Sequence, residues 1–485
     1  MSRKAMLGHK VRRLRRESGI SQTQLAEQLE ISPSYLNLIE HNQRPVSADL
    51  LIRIARVFDV DLQTFAEDVE GRLAADLREV FADPLFEGGG PAPAQEIRDL
   101  AANAPTVAQA VIDLYRAFRE ARDDLRTLAE RIAADRGGGP ASVRGTATDA
   151  FPIDRVHDFF QAHANHFPAI EEAAEALWRE AELEQGDLYR GLASFLQRMH
   201  GVRARVMPHD VMQGALRRYD PHGRRLLLNE MLPGPSRTFH LAHQVALLYA
   251  SGLLDRVAAE DGKLQTDAAR RLCRIGLANY LAGAVMMPYE AFIRAAQSVR
   301  YDIAVLQRRF DASFEQVCHR LTSLQRPGLR GVPFSFLRVD KAGNISKRHS
   351  GGSLHFARFD SACPRLNIYD AFRFPGVVRT QVAILPDGAT YLCIARDVVR
   401  AASGHRDPPQ HLAIGLACDI AHAPQLVYAD GIDLGHGAAT PVGPTCRVCE
   451  RLDCAQRAFP PIGQRLVPNE HVRGQSSYVR SGNGG

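Results

Sequence analysis

Three thiols crowd into nine residues near the C-terminus, Cys446-x2-Cys449-x4-Cys454, with Arg447, Arg451 and Arg457 among them. Metals bind the thiolate, and nearby positive charge favours that form. A closed zinc site wants four protein ligands, and no histidine falls inside the cluster. An iron–sulfur cluster of the 4Fe-4S type is held by cysteines alone, with its fourth ligand supplied from a distance by Cys418 or Cys363, or left open. Iron–sulfur, zinc and plain thiols all stay open, with iron–sulfur leading. Eight cysteines, five of them scattered, fit a reducing compartment better than a disulfide framework.

A second chemical outline runs through Phe239-His240-Leu241-Ala242-His243-Gln244 to Leu247. A zinc-hydrolase helix needs His-Glu-x-x-His, because two histidines one turn apart share the metal and the glutamate deprotonates the bound water. Here His243 stands at the first ligand position, Gln244 replaces the base and Leu247 replaces the second ligand. An amide cannot accept that proton, so neither zinc at this site nor proteolysis is expected, and the chain reads as a non-enzyme. His240 and His243 read as core histidines.

These groups need elements to hold them, and the first seventy residues show the clearest ones. Seven cations, Arg3, Lys4, Lys10, Arg12, Arg13, Arg15 and Arg16, precede the first acidic residue, Glu17, a block suited to phosphate contact. Ser21 with Gln24 forms a capping-box pattern for a helix through Leu29, and Ser32-Pro33 opens another. Ser47 starts a third. The short helices 21–29 and 33–41 are expected to cross and pack through Leu25, Ala26, Leu29, Ile31, Leu36 and Ile39, a helix-turn-helix. Ser21-Gln22-Thr23-Gln24-Leu25-Ala26 and Tyr35-Leu36-Asn37-Leu38-Ile39-Glu40 resemble the repressor-type (XRE) DNA-binding family. That resemblance implies a second helix in the major groove of double-stranded operator DNA, with Ser32, Ser34, Tyr35, Asn37 and Leu38 facing bases. It implies backbone contacts from Gln22, Asn42 and Arg44. Glu30 departs from the pattern, because the turn there often carries glycine.

Behind the reader, Val107, Val111, Leu114, Phe118, Ala121, Leu125, Leu128 and Ile132 alternate by fours and threes, a heptad seam. The seam suits a homodimer or higher even oligomer, and packing on the chain's own domain is the alternative. Asp135-Arg136-Gly137-Gly138-Gly139-Pro140 reads as a flexible joint. After Arg326-Pro327-Gly328 come β-rich runs at Val332–Val339, Leu354–Phe359, Thr380–Leu385 and Thr390–Val399, with Pro386-Asp387-Gly388 as a hairpin turn.

The expected fold class is a mainly α N-terminal half, helix-turn-helix plus helical peptidase-like region, with an α+β C-terminal sensor domain. The expected divisions are 1–70 (reader), 71–150 (dimer helix and linker), 151–325 (peptidase-like), 326–465 (α+β with the cysteines) and 466–485 (disordered tail). With 45% hydrophobic and 24% charged residues and no apolar run of membrane-spanning length, the chain is expected in the cytoplasm and off the membrane.

Ala278-Asn279-Tyr280 through Met286-Met287-Pro288 resembles the part of ImmA/IrrE-type peptidases after the third metal ligand, yet Arg274, Ile275, Gly276 and Leu277 before it include no acid. Nearly the whole chain resembles the short-chain fatty acyl-coenzyme A regulators. Phe314-Glu315-Gln316-Val317-Cys318-His319-Arg320-Leu321, Asp340-Lys341-Ala342-Gly343-Asn344-Ile345-Ser346-Lys347-Arg348 and Cys446-Arg447-Val448-Cys449-Glu450-Arg451 carry the likeness. It implies a regulator of propionate or acetate metabolism that binds a short acyl-coenzyme A, with an iron–sulfur cluster in some members. Arg326, Arg330, Lys341, Lys347 and Arg348 are candidate partners for the coenzyme phosphates. Leu366 departs from the aromatic residue expected at that place. A redox or iron–sulfur sensor of the same architecture is the alternative.

Overall fold

In a computed structural model of the chain, the described residues are 8–40, 43–58, 69–83, 85–86, 93–134, 152–260, 262, 264, 266–351, 354, 362–400, 408–435, 437–451 and 454–460. Asn42, the joint at 135–140, most of the run Leu354–Phe359 and the expected tail 466–485 lie outside them. The chain forms two compact units, Met1–Phe118 and Arg119–Gly485.

The first unit begins with α1 (Gly8–Glu17), α2 (Gln22–Gln28), α3 (Pro33–Glu40) and α4 (Ala48–Val57). Ser21 and Gln24 close a reciprocal capping box on α2, and Ser47 accepts from Leu50 N at α4. Leu25, Ala26, Leu29, Leu36, Ile39 and Ile54 are sealed in one core, with Ile31 packed partly buried at its corner. Next come α5 (Val69–Phe81), α6 (Ala94–Asn103) and α7 (Pro105–Ala134), the last running across the division between units. The inner face of α7 buries Ala108, Ile112 and Tyr115, and Tyr115 Oη donates to Asp83 Oδ2 at 2.7 Å. Its other face leaves Val107, Leu114 and Phe118 exposed by 55%, 72% and 38%.

The second unit opens with α8 (Pro152–Ala162), α9 (Pro168–Glu180) and α10 (Leu188–His200). A small sheet follows, β1 (Arg203–Met207), α11 (His209–Met212), β2 (Arg217–Asp220) and β3 (Arg225–Asn229), in the order β1-β3-β2 with β1 parallel to β3. The mainly helical peptidase-like region thus also carries a small sheet. Its strands are four or five residues long and arginine-rich, so they lack the β-branched signature of a strand. Helices α12 (Gly234–Tyr249), α13 (Ser251–Ala259) and α14 (Asp267–Met286) complete a first core, and α15 (Tyr289–Ser298), α16 (Ile303–Phe310) and α17 (Phe314–Thr322) lead out of it.

The C-terminal sheet contains β4 (Ser335–Asp340), β5 (Ile345–His349), α18 (Asn367–Asp370) after it, then β6 (Arg379–Ile384), β7 (Thr390–Arg400), β8 (Gln410–Asp419) and β9 (Thr440–Pro441). Its order is β5-β4-β8-β7-β6-β9, antiparallel except for β6 with β9. Gly388, at φ +87°, forms the expected hairpin turn between β6 and β7. Alternate residues face opposite layers. Phe336, Val382, Leu392, Ile394, Leu416 and Cys418 meet the helices α15–α17, whereas Leu337, Ala383, Cys393, Ala413 and Ala417 face α18 and the C-terminal loops. Among the described residues no helix is long and apolar enough to cross a membrane.

Candidate functional site

On α3 the side chains of Ser34, Tyr35, Asn37 and Leu38 stand exposed along one face, while Leu36 and Ile39 are buried on the other. Two exposed apolar groups, Tyr35 and Leu38, beside two polar ones form a surface suited to base edges and the thymine methyl. Ser32 is the cap of this helix, its Oγ accepting from Tyr35 N at 3.1 Å, and Arg44 is exposed beyond its end. Gln22 is partly buried and donates to Glu40 Oε2 at 3.1 Å and Asn37 Oδ1 at 3.4 Å. Glu40, 1% exposed, takes Arg15 in a two-bond fork at 2.7 and 3.0 Å. Reasoning from the sequence missed this clamp, which ties the first helix of the basic block to the end of the reading helix. Glu30 occupies the left-handed region at φ +54°, the strain expected where glycine is usual.

In the peptidase-like region His243 Nδ1 meets Asn279 Oδ1 at 2.8 Å, so α14 holds the ring through an amide. Gln244, at the position of the lost base, accepts from Arg217 Nη1 at 3.1 Å. Burial, with the field of Arg217, lowers both His240 and His243 to about 4, Arg400 adding at His240, so both rings are neutral at pH 7. Nothing in the spacing of the sequence joins Arg217 to a helix 27 residues later.

Cys363, Cys446, Cys449 and Cys454 line one cavity with Arg451 and Arg457. Cys418 belongs to the helical face of the sheet and Cys363 to the opposite face, so Cys363 is the fourth thiol at this place and Cys418 is not. The arginines serve as scaffold. Arg457, 6% exposed, donates to the carbonyls of Cys446 at 2.6 Å, Cys449 at 2.9 Å and Arg451. Arg451 holds the carbonyls of Val442 and Ile384, and Arg447 stacks on Phe459. Ala458 N–H points at Cys446 Sγ at 3.5 Å, and a Cβ at Gly443 would come within 2.5 Å of Cys449 Sγ. Burial pushes the Cys363 thiol up, and Cys446 and Cys449 push it the same way. Among the described residues, no three His, Cys, Asp or Glu side chains stand close enough to share a metal ion. An adjoining apolar cavity is lined by Leu366, Tyr391, Cys393 and Val442.

The five basic residues singled out for phosphate are not gathered in one place. Arg326 pairs with Glu175 at 2.9 Å and lies over the Tyr289 ring, Arg330 sits in the coil before β4, and Lys341 is exposed in the β4–β5 turn. Lys347 and Arg348 are neighbours on β5. Lys347 joins a cluster not foreseen from the sequence, in which Glu315 takes Arg338 at 2.6 Å and Arg400 at 3.3 Å.

Residues 11–65 match a helix-turn-helix family, 197–322 the IrrE N-terminal-like domain, and 323–478 the short-chain fatty acyl coenzyme A regulator C-terminal family. The HTH-type transcriptional regulator RamB of Mycobacterium tuberculosis is 41% identical, over 98% of this chain and 99% of its own length. The HTH-type regulator PrpR of that organism is 39% identical, over 97% and 95%. The propionyl-CoA carboxylase regulator of Cereibacter sphaeroides is 39% identical, over 99% of both. A solved Mycobacterium tuberculosis transcriptional regulator is 41% identical, with a TM-score of 0.65, over 68% of this chain and 99% of that one. Relatives that span the full chain are named as regulators, and the hydrolytic glutamate is absent from α12. The chain therefore belongs to the short-chain fatty acyl-coenzyme A regulators, a family of helix-turn-helix transcriptional regulators rather than enzymes.

Proposed function

We propose that the chain is a cytoplasmic, homodimeric regulator of propionate or acetate metabolism that binds double-stranded operator DNA through α3 and takes a short acyl-coenzyme A as effector. The observation that carries this reading is the junction, in one chain, of an exposed reading helix with a segment, 323–478, matching the acyl coenzyme A regulators. Names of relatives that include propionyl-CoA carboxylase support the metabolite class. The exposed seam of Val107, Leu114 and Phe118 supports the dimer.

The one observation in favour of an iron–sulfur cluster is that Cys363, Cys446, Cys449 and Cys454 line one cavity, although no three of them, as placed, could share one metal ion. When bound, such a cluster supplies a one-electron centre and a cross-link. The chain's own part is to hold the loop through Arg457 and Arg451.

An effector shifts DNA binding only by the difference of its affinities for two states. The test is titration of operator-bound protein, purified without oxygen, with propionyl-coenzyme A, read by DNA affinity and by transcription. A change in either supports the reading; no change in both, with no calorimetric binding, removes the effector. The four-thiol cavity favours a second reading, in which oxidation is the input. It predicts that air, and not the thioester, changes DNA affinity.

A further inference from the structure

A zinc-hydrolase pocket is built to hold a cation, and in this chain the same place has the opposite sign. His243 is 4% exposed and its Nε2 has no hydrogen-bond partner. A buried ring nitrogen left unpaired forfeits its hydrogen bond to water, so it marks a place for a partner. Beside it, Arg217 is partly buried and gives a hydrogen bond to the Gln244 amide, with no carboxylate partner among the described residues. The head of α12 adjoins the cluster at the end of the C-terminal sheet, since Gln316 Nε2, next to Glu315, donates to the Pro235 carbonyl at 3.5 Å, and the fields of Arg217 and Arg400 both act on His240. There Arg338, Lys347 and Arg400 surround Glu315. Three cations thus share one carboxylate, and Arg217 beside them is held only by an amide.

Such a patch repels a divalent metal and attracts an anion of two or more charges. A phosphate group supplies that charge with several acceptor oxygens, which suits the flat fork of a guanidinium. The Asn279 amide, turned end for end, lets the imidazole present Nε2–H as a further donor. We propose that the degenerate peptidase centre, Arg217 with His243 Nε2 and the adjoining Arg400, is an anion site that takes a phosphate group of the effector, resting on the acyl-coenzyme A reading for the ligand's identity.

Isothermal titration of the full chain with propionyl-coenzyme A and with adenosine 3′,5′-bisphosphate tests the site, because the second probe has phosphates and no acyl arm. In Arg217→Gln both affinities should fall at least about tenfold, the loss expected for one charged hydrogen bond. Arg217→Lys should recover part of the loss, and thermal unfolding checks that each variant is folded. Arg400, whose side chain is 48% exposed, gives a second variant, Arg400→Gln, that carries the test if Arg217→Gln does not fold. Wild-type affinity for both probes in the folded variants overturns the site and leaves the effector reading standing. Arg217-dependent binding of the bisphosphate without binding of propionyl-coenzyme A supports the site and overturns the effector reading. Binding of neither probe to the wild type overturns both.

Discussion

At the scale of single residues, strain and charge sit where the sequence departs from its family. Glu30 holds φ +54°, and its contact with Arg53, at 3.7 Å on an exposed surface, offsets little. Glu30→Gly should raise the stability of the reader by about 0.5–1 kcal/mol, seen as a higher midpoint in urea with unchanged slope. His240 and His243 titrate at about 4 in the folded chain and near 6.5 unfolded, so the unfolded state binds more protons between these values. Stability should be level above about pH 7 and fall as the pH drops from 6.5 to 4, with about 2–3 kcal/mol of the loss from the buried His243. His243→Phe, which cannot titrate, should flatten that part of the pH–stability curve. The departure at Glu30 was legible because a turn has a local rule, whereas the Arg217–Gln244 contact obeys none and appears only once β2 meets α12.

Among elements, helices were far easier to read than strands. The capping box of Ser21 and Gln24, the crossed pair α2–α3 and the long α7 all follow from caps and periodicity, signals that act within one turn or two. Strand β8, Gln410–Asp419, was not expected. It is lined with Ala and Gly and is buried on both faces, so it has neither β-branched enrichment nor polar alternation. Strand β5 reads Ile-Ser-Lys-Arg-His and hides for the opposite reason, polarity. The thiol site was half legible: the three clustered cysteines announce themselves, but only the fold decides that Cys363, in the coil before α18, lines their cavity and that Cys418, on the helical face of β8, does not. The exposed seam of α7 is open to direct trial. If the proposed dimer forms through this seam, Leu114→Asp should give monomer by sedimentation while the helical circular dichroism stays, because Leu114 is 72% exposed and supports no core of its own. A dimer that persists unchanged would place the symmetric interface elsewhere.

For the molecule as a whole, the boundary between its two matched segments, 197–322 and 323–478, is no boundary in the core. Met286, Tyr289, Phe292, Phe310 and Leu321, before residue 322, pack with Phe336, Leu392, Ile394 and Leu416 after it. The Glu171–Arg320 pair, each side chain 2% exposed, forks at 2.6 and 2.9 Å beneath the Tyr280 hydroxyl, binding α9 to α17. Breaking such a pair costs about 3–5 kcal/mol, because the surviving charge stays buried. A fragment of residues 323–478 should therefore lack a cooperative thermal transition, while a fragment of 152–485 should show one, by calorimetry. The shared core also bears on how relatives exchange parts. A crossover at residue 322 would bring together two half-cores from different lineages, whose volumes were never selected to fit. Recombination among relatives must therefore hand on the two sides of residue 322 together if the core is to stay fitted.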